Sequence, residues 1–348
     1  MAPYCYLFYI KIQFDFDINF LPFSDECENN PGYMQVSCAP ACQSCHMLNF
    51  ELRCPVDPNA TVAWKPGDLN KYFEGLTTDP AYQQYQPTII SRPGMLNPKT
   101  NSSPWIVVLD NFLTDEECDK MIELGAEQGY QRSLDVGDET FDGSVGLKEN
   151  ERRTSVNAWC LPPCYDHPTT KQVIGKIENV TGISESHSEY LQLLKYEKGQ
   201  YYESHHDFPP YTLKRPQGPR ILTVFLYLND VEAGGGTRFT DLDLTVMPKK
   251  GRALLWPSVL DENPMAIDMR MHHEALAVEK GVKYGANAWV SAVCNIFFKH
   301  FSVSTMQMAY HTASCWLHSA VVGHDSCICE ISRLHLKSTV PSFFFCSN

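Results

Sequence analysis

The stretch Tyr201-Tyr202-Glu203-Ser204-His205-His206-Asp207-Phe208 holds the residue types that ligate a metal. On an extended strand, residues two apart point to the same face. His205 and Asp207 therefore face one way and His206 the other. Two histidines and one carboxylate form the facial triad that leaves three coordination positions open on Fe(II). The second histidine must come from elsewhere, and His272 and His273, just before the apolar run 274–278, are the candidates. An H-x-D tripeptide alone says little; its company says more. Ten residues after His273 stands Lys283, within Gly281-Val282-Lys283-Tyr284. An even separation across a short turn returns Lys283 to the wall that carries His273. A buried lysine there needs an anionic partner, which a dicarboxylate co-substrate would supply.

These side chains need elements to hold them. Thr114-Asp115-Glu116-Glu117 is a capping box. Cys118, Met121, Ile122 and Gly125 follow at i, i+3, i+4 and i+7, one face of a helix. A second helix is predicted over 171–180 from the stripe Val173, Ile174, Ile177 and Val180. Short β-rich runs come next, at 190–196, 220–228, 244–247, 253–256, 274–278 and 288–290. Turn signals separate them: Pro209-Pro210, Gly234-Gly235-Gly236, Lys249-Lys250-Gly251 and Glu279-Lys280-Gly281. Many short strands after helices predict an α+β fold, a double-stranded β-helix (jelly roll) with supporting N-terminal helices. By composition the chain divides into a patternless segment 1–26, a cysteine cluster 27–45, a linker 46–103, a regular domain 104–290 and a patternless tail 291–348.

From about 104 to 289 the chain resembles the prolyl 4-hydroxylases of the 2-oxoglutarate/Fe(II) dioxygenase superfamily. The matching motifs run in order: Leu191 to His205 and Asp207, Arg220 to Asp230, Gly234 to Phe239, Pro248 to Trp256, and His273 to Trp289. The resemblance implies His205, Asp207 and His273 as metal ligands. It prefers His273 to His272 because the family's co-substrate lysine stands ten residues after its distal histidine, which here is Lys283. It gives Tyr196 and Thr237 the role of bonding the 2-oxoglutarate carboxylate. Tyr202, Arg220 and Trp289, with Arg153, Ser155 and Glu189, match positions near the peptide groove, and Arg220 reads equally as a structural ion-pair residue. The implied cofactors are Fe(II), 2-oxoglutarate, O2 and L-ascorbate. The implied reaction hydroxylates C4 of proline in a peptide or protein while 2-oxoglutarate is decarboxylated to succinate and CO2. Two departures stand out: Gly236 where the family has Glu or Ala, and Glu274-Ala-Leu-Ala-Val278 where it has Ala-Gly-x-Pro-Val. The alternatives are hydroxylation of another residue such as lysine, and a catalytically silent secreted peptide-binding protein. The intact triad with Lys283 argues against the second.

The remaining features bound the setting. The chain has 348 residues, 43% hydrophobic and 20% charged, a globular composition. Its formal charge of −13 disfavours nucleic acid as a partner. No apolar run approaches the ~20 residues of a membrane span. Nothing fixes an oligomeric state. Cysteines number 14, and Cys27, Cys38, Cys42 and Cys45 crowd together. With Asn30-Pro31-Gly32-Tyr33-Met34 they resemble the C-terminal half of an ShK-type module, whose pairing implies a Cys27–Cys42 disulfide and leaves Cys38 and Cys45 without their usual partners. A zinc site completed by Cys54 or His46 is the rival reading. The cluster suggests an oxidising compartment, and sequons at Asn59, Asn101 and Asn179 are compatible with it. The secretory pathway, in the endoplasmic reticulum lumen or Golgi, is therefore expected, although residues 1–23 make a poor signal peptide. Both patternless ends are expected to be gene-model artefacts such as read-through introns. Sequencing the transcript decides that.

Overall fold

The computed structural model describes residues 24–294 except 30–33, 37–38, 40–41, 98, 100–101, 141–142 and 144. The expectations for 1–23 and for the tail beyond 294, together with those for Cys38 and Asn101, lie outside the described residues. The described chain falls into two units, 57–137 with 147–294, and 24–56 with 138–146. Helices are α1 (Ser24–Asn29), α2 (Phe50–Arg53), α3 (Asp68–Thr78), α4 (Asp115–Gln128) and α5 (Pro168–Thr181). The first strands are β1 (Pro87–Ser91), β2 (Ile106–Leu109), β3 (Gln131–Arg132), β4 (Asp135–Glu139), β5 (Val145–Lys148), β6 (Val156–Trp159), β7 (Gln192–Tyr196) and β8 (Tyr202–His205). After them come β9 (Arg220–Tyr227), β10 (Ala233–Gly234), β11 (Thr237–Phe239), β12 (Leu244–Val246), β13 (Ala253–Pro257), β14 (His273–Ala275), β15 (Val278–Lys280) and β16 (Lys283–Ser291).

In the larger unit, eight strands form one sheet in the order β1-β2-β13-β9-β16-β7-β6-β3, and four form another, β12-β11-β14-β8. Alternation along each strand decides what fills the two faces of the large sheet. Leu222, Val224 and Leu226 of β9 join Leu193, Leu255 and the helix residues Phe73, Met121 and Ile177 in one core. Phe225 and Tyr227 join Leu194, Leu254 and Trp256 in a second core, shared with Phe239 and Val246 of the smaller sheet. Two antiparallel sheets packed on a common core, with helices behind the larger one, are the expected jelly roll. Strand β9 is buried on both faces, which is why its sequence reads as one apolar run.

The Thr114 capping box forms as predicted, with the Glu117 N–H donating to Thr114 Oγ1 at 3.2 Å and the Thr114 N–H donating to Glu117 Oε2 at 2.8 Å. Helix α5 begins ahead of its predicted start, at Pro168, with His167 as its cap.

Two expectations need correction. Much of the stretch read as a linker belongs to the larger unit. Leu69, Phe73 and Leu76 of α3 lie at i, i+4 and i+7 and are buried, and Phe73 stacks on Trp105 at 5.6 Å. Strand β1 extends the sheet against β2. So few apolar residues, set among Asn, Asp and Pro, left the helical stripe inconspicuous. The run 274–278, read as one strand, is split between β14 and β15, which lie in different sheets. Leu276 and Ala277 cross over between them: the Leu276 N–H donates to Gly236 O and the Gly235 N–H to Ala277 O, both at 2.9 Å. Glycine permits this crossing. Gly234 has φ +75°, and a Cβ there would lie 2.3 Å from the Ala277 carbonyl oxygen.

In the smaller unit Cys27 and Cys42 form a disulfide. Cys45 and Cys54 each stand in a disulfide, so Cys42, Cys45 and Cys54 offer no free thiolate to the zinc alternative. The larger unit holds a disulfide the sequence did not announce, Cys160–Cys164, between β6 and α5.

Candidate active site

Strand β8 ends at His205, and β14 begins at His273 directly opposite it in the antiparallel register. Their rings stand 4.3 Å apart. Asp207 lies just past the end of β8, with Oδ2 3.6 Å from His273 Nε2. One ligand atom from each of His205, Asp207 and His273 falls within 4.8 Å of the others. Each histidine is oriented by its own chain: Nδ1 of His205 bonds the Glu203 carbonyl at 2.8 Å, and Nδ1 of His273 bonds the Met271 carbonyl at 2.9 Å. A backbone acceptor at Nδ1 leaves the Nε2 lone pair for a metal.

Electrostatics agree with that use. Burial opposes charge on Asp207, but His273, His205, Arg220 and the 2.7 Å hydrogen bond from Thr223 outweigh it and hold the carboxyl at about 2. Burial, then the neighbouring His273, pushes His205 well below its ordinary range. An ionised carboxylate beside a neutral imidazole is what a metal requires of its ligands. His206 and His272 face each other 5.2 Å apart, away from this cluster. His206 does not point into solvent as a simple strand would have it. Its Nε2 bonds the Asp268 carbonyl at 2.9 Å, and its Nδ1 accepts the Phe208 N–H at 3.0 Å.

Lys283 opens β16 opposite Tyr196 of β7. It is 1% exposed and its Nζ has no hydrogen-bond partner among the described residues. Its surroundings are the rings of Phe225, Tyr196 and Tyr227, 5.2 to 5.5 Å away, and burial lowers its pKa to about 7. Thr237, also buried, accepts a 2.8 Å hydrogen bond from the Tyr227 hydroxyl. Inward residues of β9 thus join the two ends of the site: Thr223 at Asp207, then Phe225 and Tyr227 at Lys283.

The groove candidates form two groups. The Tyr202 ring stacks on His205 at 3.7 Å, and the Arg153 guanidinium lies 4.6 Å over Tyr202. Arg153 also donates to Gln192 Oε1 at 3.2 Å, while Ser155 Oγ donates to Ser133 Oγ at 3.0 Å. In the second group Arg220 holds Glu189 through two bonds of 2.5 and 2.8 Å and lies 3.7 Å over Trp289, so the ion-pair reading of Arg220 is met. Trp289 faces Trp159 at 6.1 Å. Sequence reasoning missed Thr223, Tyr227 and Trp159. The first two were findable, because period-two counting along β9 gathers Thr223, Phe225 and Tyr227 on one face.

A test of fit follows from these atoms. Two imidazoles with free Nε2 atoms and one carboxylate suit Fe(II), and an unpartnered buried ammonium suits an anionic group.

The sequence model of the 2OG-Fe(II) oxygenase superfamily matches residues 191–291. The probable prolyl 4-hydroxylase 10 of Arabidopsis thaliana is 33% identical over 207 residues, covering 54% of this chain and 68% of that protein. The chain belongs to the prolyl 4-hydroxylase family. Another relative in the prolyl 4-hydroxylase family, the prolyl 4-hydroxylase subunit alpha-2 of Gallus gallus, is 30% identical over 201 residues, covering 57% of this chain. The chain spans only 36% of the length of that animal relative. Among solved structures, the viral collagen prolyl hydroxylase of Paramecium Bursaria Chlorella virus-1, in its 2OG complex, is similar at 28% identity and a TM-score of 0.41. That similarity covers 54% of this chain and 96% of the viral one.

Proposed function

We propose that this chain hydroxylates C4 of proline in a peptide or protein, with decarboxylation of 2-oxoglutarate to succinate and CO2. The observation that carries the reading is the conjunction of the His205–Asp207–His273 cluster with an unpartnered, fully buried Lys283. Iron held by the triad supplies the activation of O2 that hydroxylation of an unactivated carbon requires. The chain's own residues do the rest. The Glu203 and Met271 carbonyls fix both imidazoles with Nε2 inward, and Thr223 holds the Asp207 carboxylate. Lys283 and Thr237 would bind the far carboxylate of 2-oxoglutarate in a wall of Tyr196, Phe225 and Tyr227 that excludes water. Tyr202, Arg153 and Ser155 on one side, and Trp289 with the Arg220–Glu189 pair on the other, would position the peptide. Ascorbate would keep the metal reduced between productive turnovers.

We assign this activity to the domain 104–290, to which residues 57–103 add α3 and β1, and we take 27–45 as part of an ShK-like module. An oxidising compartment of the secretory pathway, such as the endoplasmic reticulum lumen or Golgi, fits the disulfides Cys27–Cys42 and Cys160–Cys164. No helix among the described residues is long and apolar enough to cross a membrane. Incubation of proline-rich peptides with the protein, Fe(II), 2-oxoglutarate and ascorbate, followed by mass spectrometry, tests the reaction. The expected product gains ~16 Da at proline C4, one oxygen atom. A gain confined to lysine would replace the substrate reading, and no gain on any peptide would contradict the activity.

A further inference from the structure

Two further buried donors lie on the inner face of the large sheet. Thr223 has Trp256 of β13 as its cross-strand partner on one side and Trp289 of β16 on the other. Directly opposed residues of an antiparallel pair share a face. Because Thr223 Oγ1 donates to Asp207 on that face, both indoles are presented to the metal cluster. Both Nε1 atoms are buried without a hydrogen-bond partner among the described residues. Trp289 is covered by Arg220 and belongs to the groove. Trp256 is different. It is 1% exposed, and its ring packs 4.8 Å from His273 and 5.5 Å from Phe239.

A buried indole N–H with nothing to bond is unfavourable, and such groups in native proteins have partners. Lys283 is another donor without a partner among the described residues, and it lies toward the opposite end of β9, beside Tyr227. A 2-oxo dicarboxylate carries acceptor oxygens at both of its ends. We propose that the Trp256 indole N–H is a binding group for the oxo-acid end of the co-substrate, donating to its C1 carboxylate, while Lys283 holds the far carboxylate. This rests on the 2-oxoglutarate reading above. It adds a second anchor, so that the oxo acid is held at the metal end by a protein donor as well as by the metal.

The test is calorimetric binding of 2-oxoglutarate to the Zn(II)-loaded full chain, which holds the ligand without turnover. Trp256→Phe keeps an aromatic ring beside His273 and removes the N–H together with part of the indole's volume, so the indole resonance of the wild-type protein isolates the N–H itself. Its dissociation constant should rise at least roughly tenfold, as loss of a hydrogen bond to a charged acceptor does. 2-Oxopentanoate, which lacks the far carboxylate, should suffer the same factor in Trp256→Phe and none in Lys283→Ala. Wild-type protein that binds 2-oxoglutarate, with Trp256→Phe binding equally well, would overturn this inference alone. Wild-type protein that fails to bind 2-oxoglutarate would overturn the reading on which it rests. A second measurement needs no variant. The 15N-labelled Trp256 indole should shift downfield and gain exchange protection when 2-oxoglutarate is added, and an unmoved resonance would contradict the proposal.

Discussion

Lys283 holds an ammonium among aromatic rings with no hydrogen-bond partner among the described residues, which is unfavourable until an anion pairs with it. Burial brings its pKa from 10.5 to about 7. Between those values the unfolded chain binds a proton that the folded chain has released, so this group makes the ligand-free fold more stable as pH rises from about 7 to 10.5. Lys283→Met, of similar length and uncharged, is expected to melt higher than wild type at about pH 6 and to flatten that rise. The same change should raise the KM for 2-oxoglutarate by roughly two to three orders of magnitude, the usual penalty for breaking a buried ion pair. Thermal scans across pH and steady-state kinetics check the two halves. A less stable variant with unchanged KM would mean the ammonium has another partner. Lys280→Ala is the control, since Lys280 is 73% exposed and pairs with Glu232 at the surface.

Adjacent histidines make a second contrast at this scale. His205→Ala should lose metal, whereas His206→Ala should keep it and lose only about 1 kcal/mol of stability with its bond to the Asp268 carbonyl. Equilibrium dialysis separates them; equal metal loss in both would put the wrong histidine in the cluster. His205 and Asp207 were legible as a pair because period two along the strand puts both on one face, whereas the choice of His273 over His272 came from the family resemblance and the ten-residue spacing to Lys283. Period two along β9 also gathers Thr223 and Tyr227 on one face, but their roles were not legible, because a buried hydroxyl in an apolar run looks the same whether it orients a ligand or merely satisfies itself.

At the scale of elements, the crossover from β14 to β15 depends on backbone that only glycine tolerates. Gly234→Ala should press its Cβ against the Ala277 carbonyl in an already left-handed conformation, with an expected loss of roughly 1–3 kcal/mol. Because His273 begins β14, metal affinity should fall along with the melting temperature. Retention of both would show that the crossover bends freely. This split was illegible in the sequence, since 274–278 has strand-forming residues throughout and the sheet change is imposed by the glycines forty residues earlier. Strand β9 was legible for the opposite reason: burial on both faces writes an unbroken apolar run. Helix α3 stayed hidden because tertiary packing on Trp105, rather than a long stripe, stabilises it.

Across the whole molecule, the jelly roll does one job for the site: it brings β8 and β14 of one sheet against β9, β13 and β16 of the other. The helices on the far face bury the back of the large sheet and leave its inner face for Thr223, Trp256 and Lys283. Disulfides stand in both units, which is what the secretory-pathway reading proposed above requires. The central claim is that the His205–Asp207–His273 cluster and Lys283 form one Fe(II)/2-oxoglutarate centre acting on peptidyl proline. Its most direct test is the stoichiometry of succinate released to 4-hydroxyproline formed on a proline-rich peptide, measured side by side for wild type and Asp207→Ala. The expected result is one succinate per hydroxyproline in wild type and neither product in Asp207→Ala, because two histidines alone hold Fe(II) poorly. Succinate and hydroxyproline formed at wild-type rates by Asp207→Ala would contradict it.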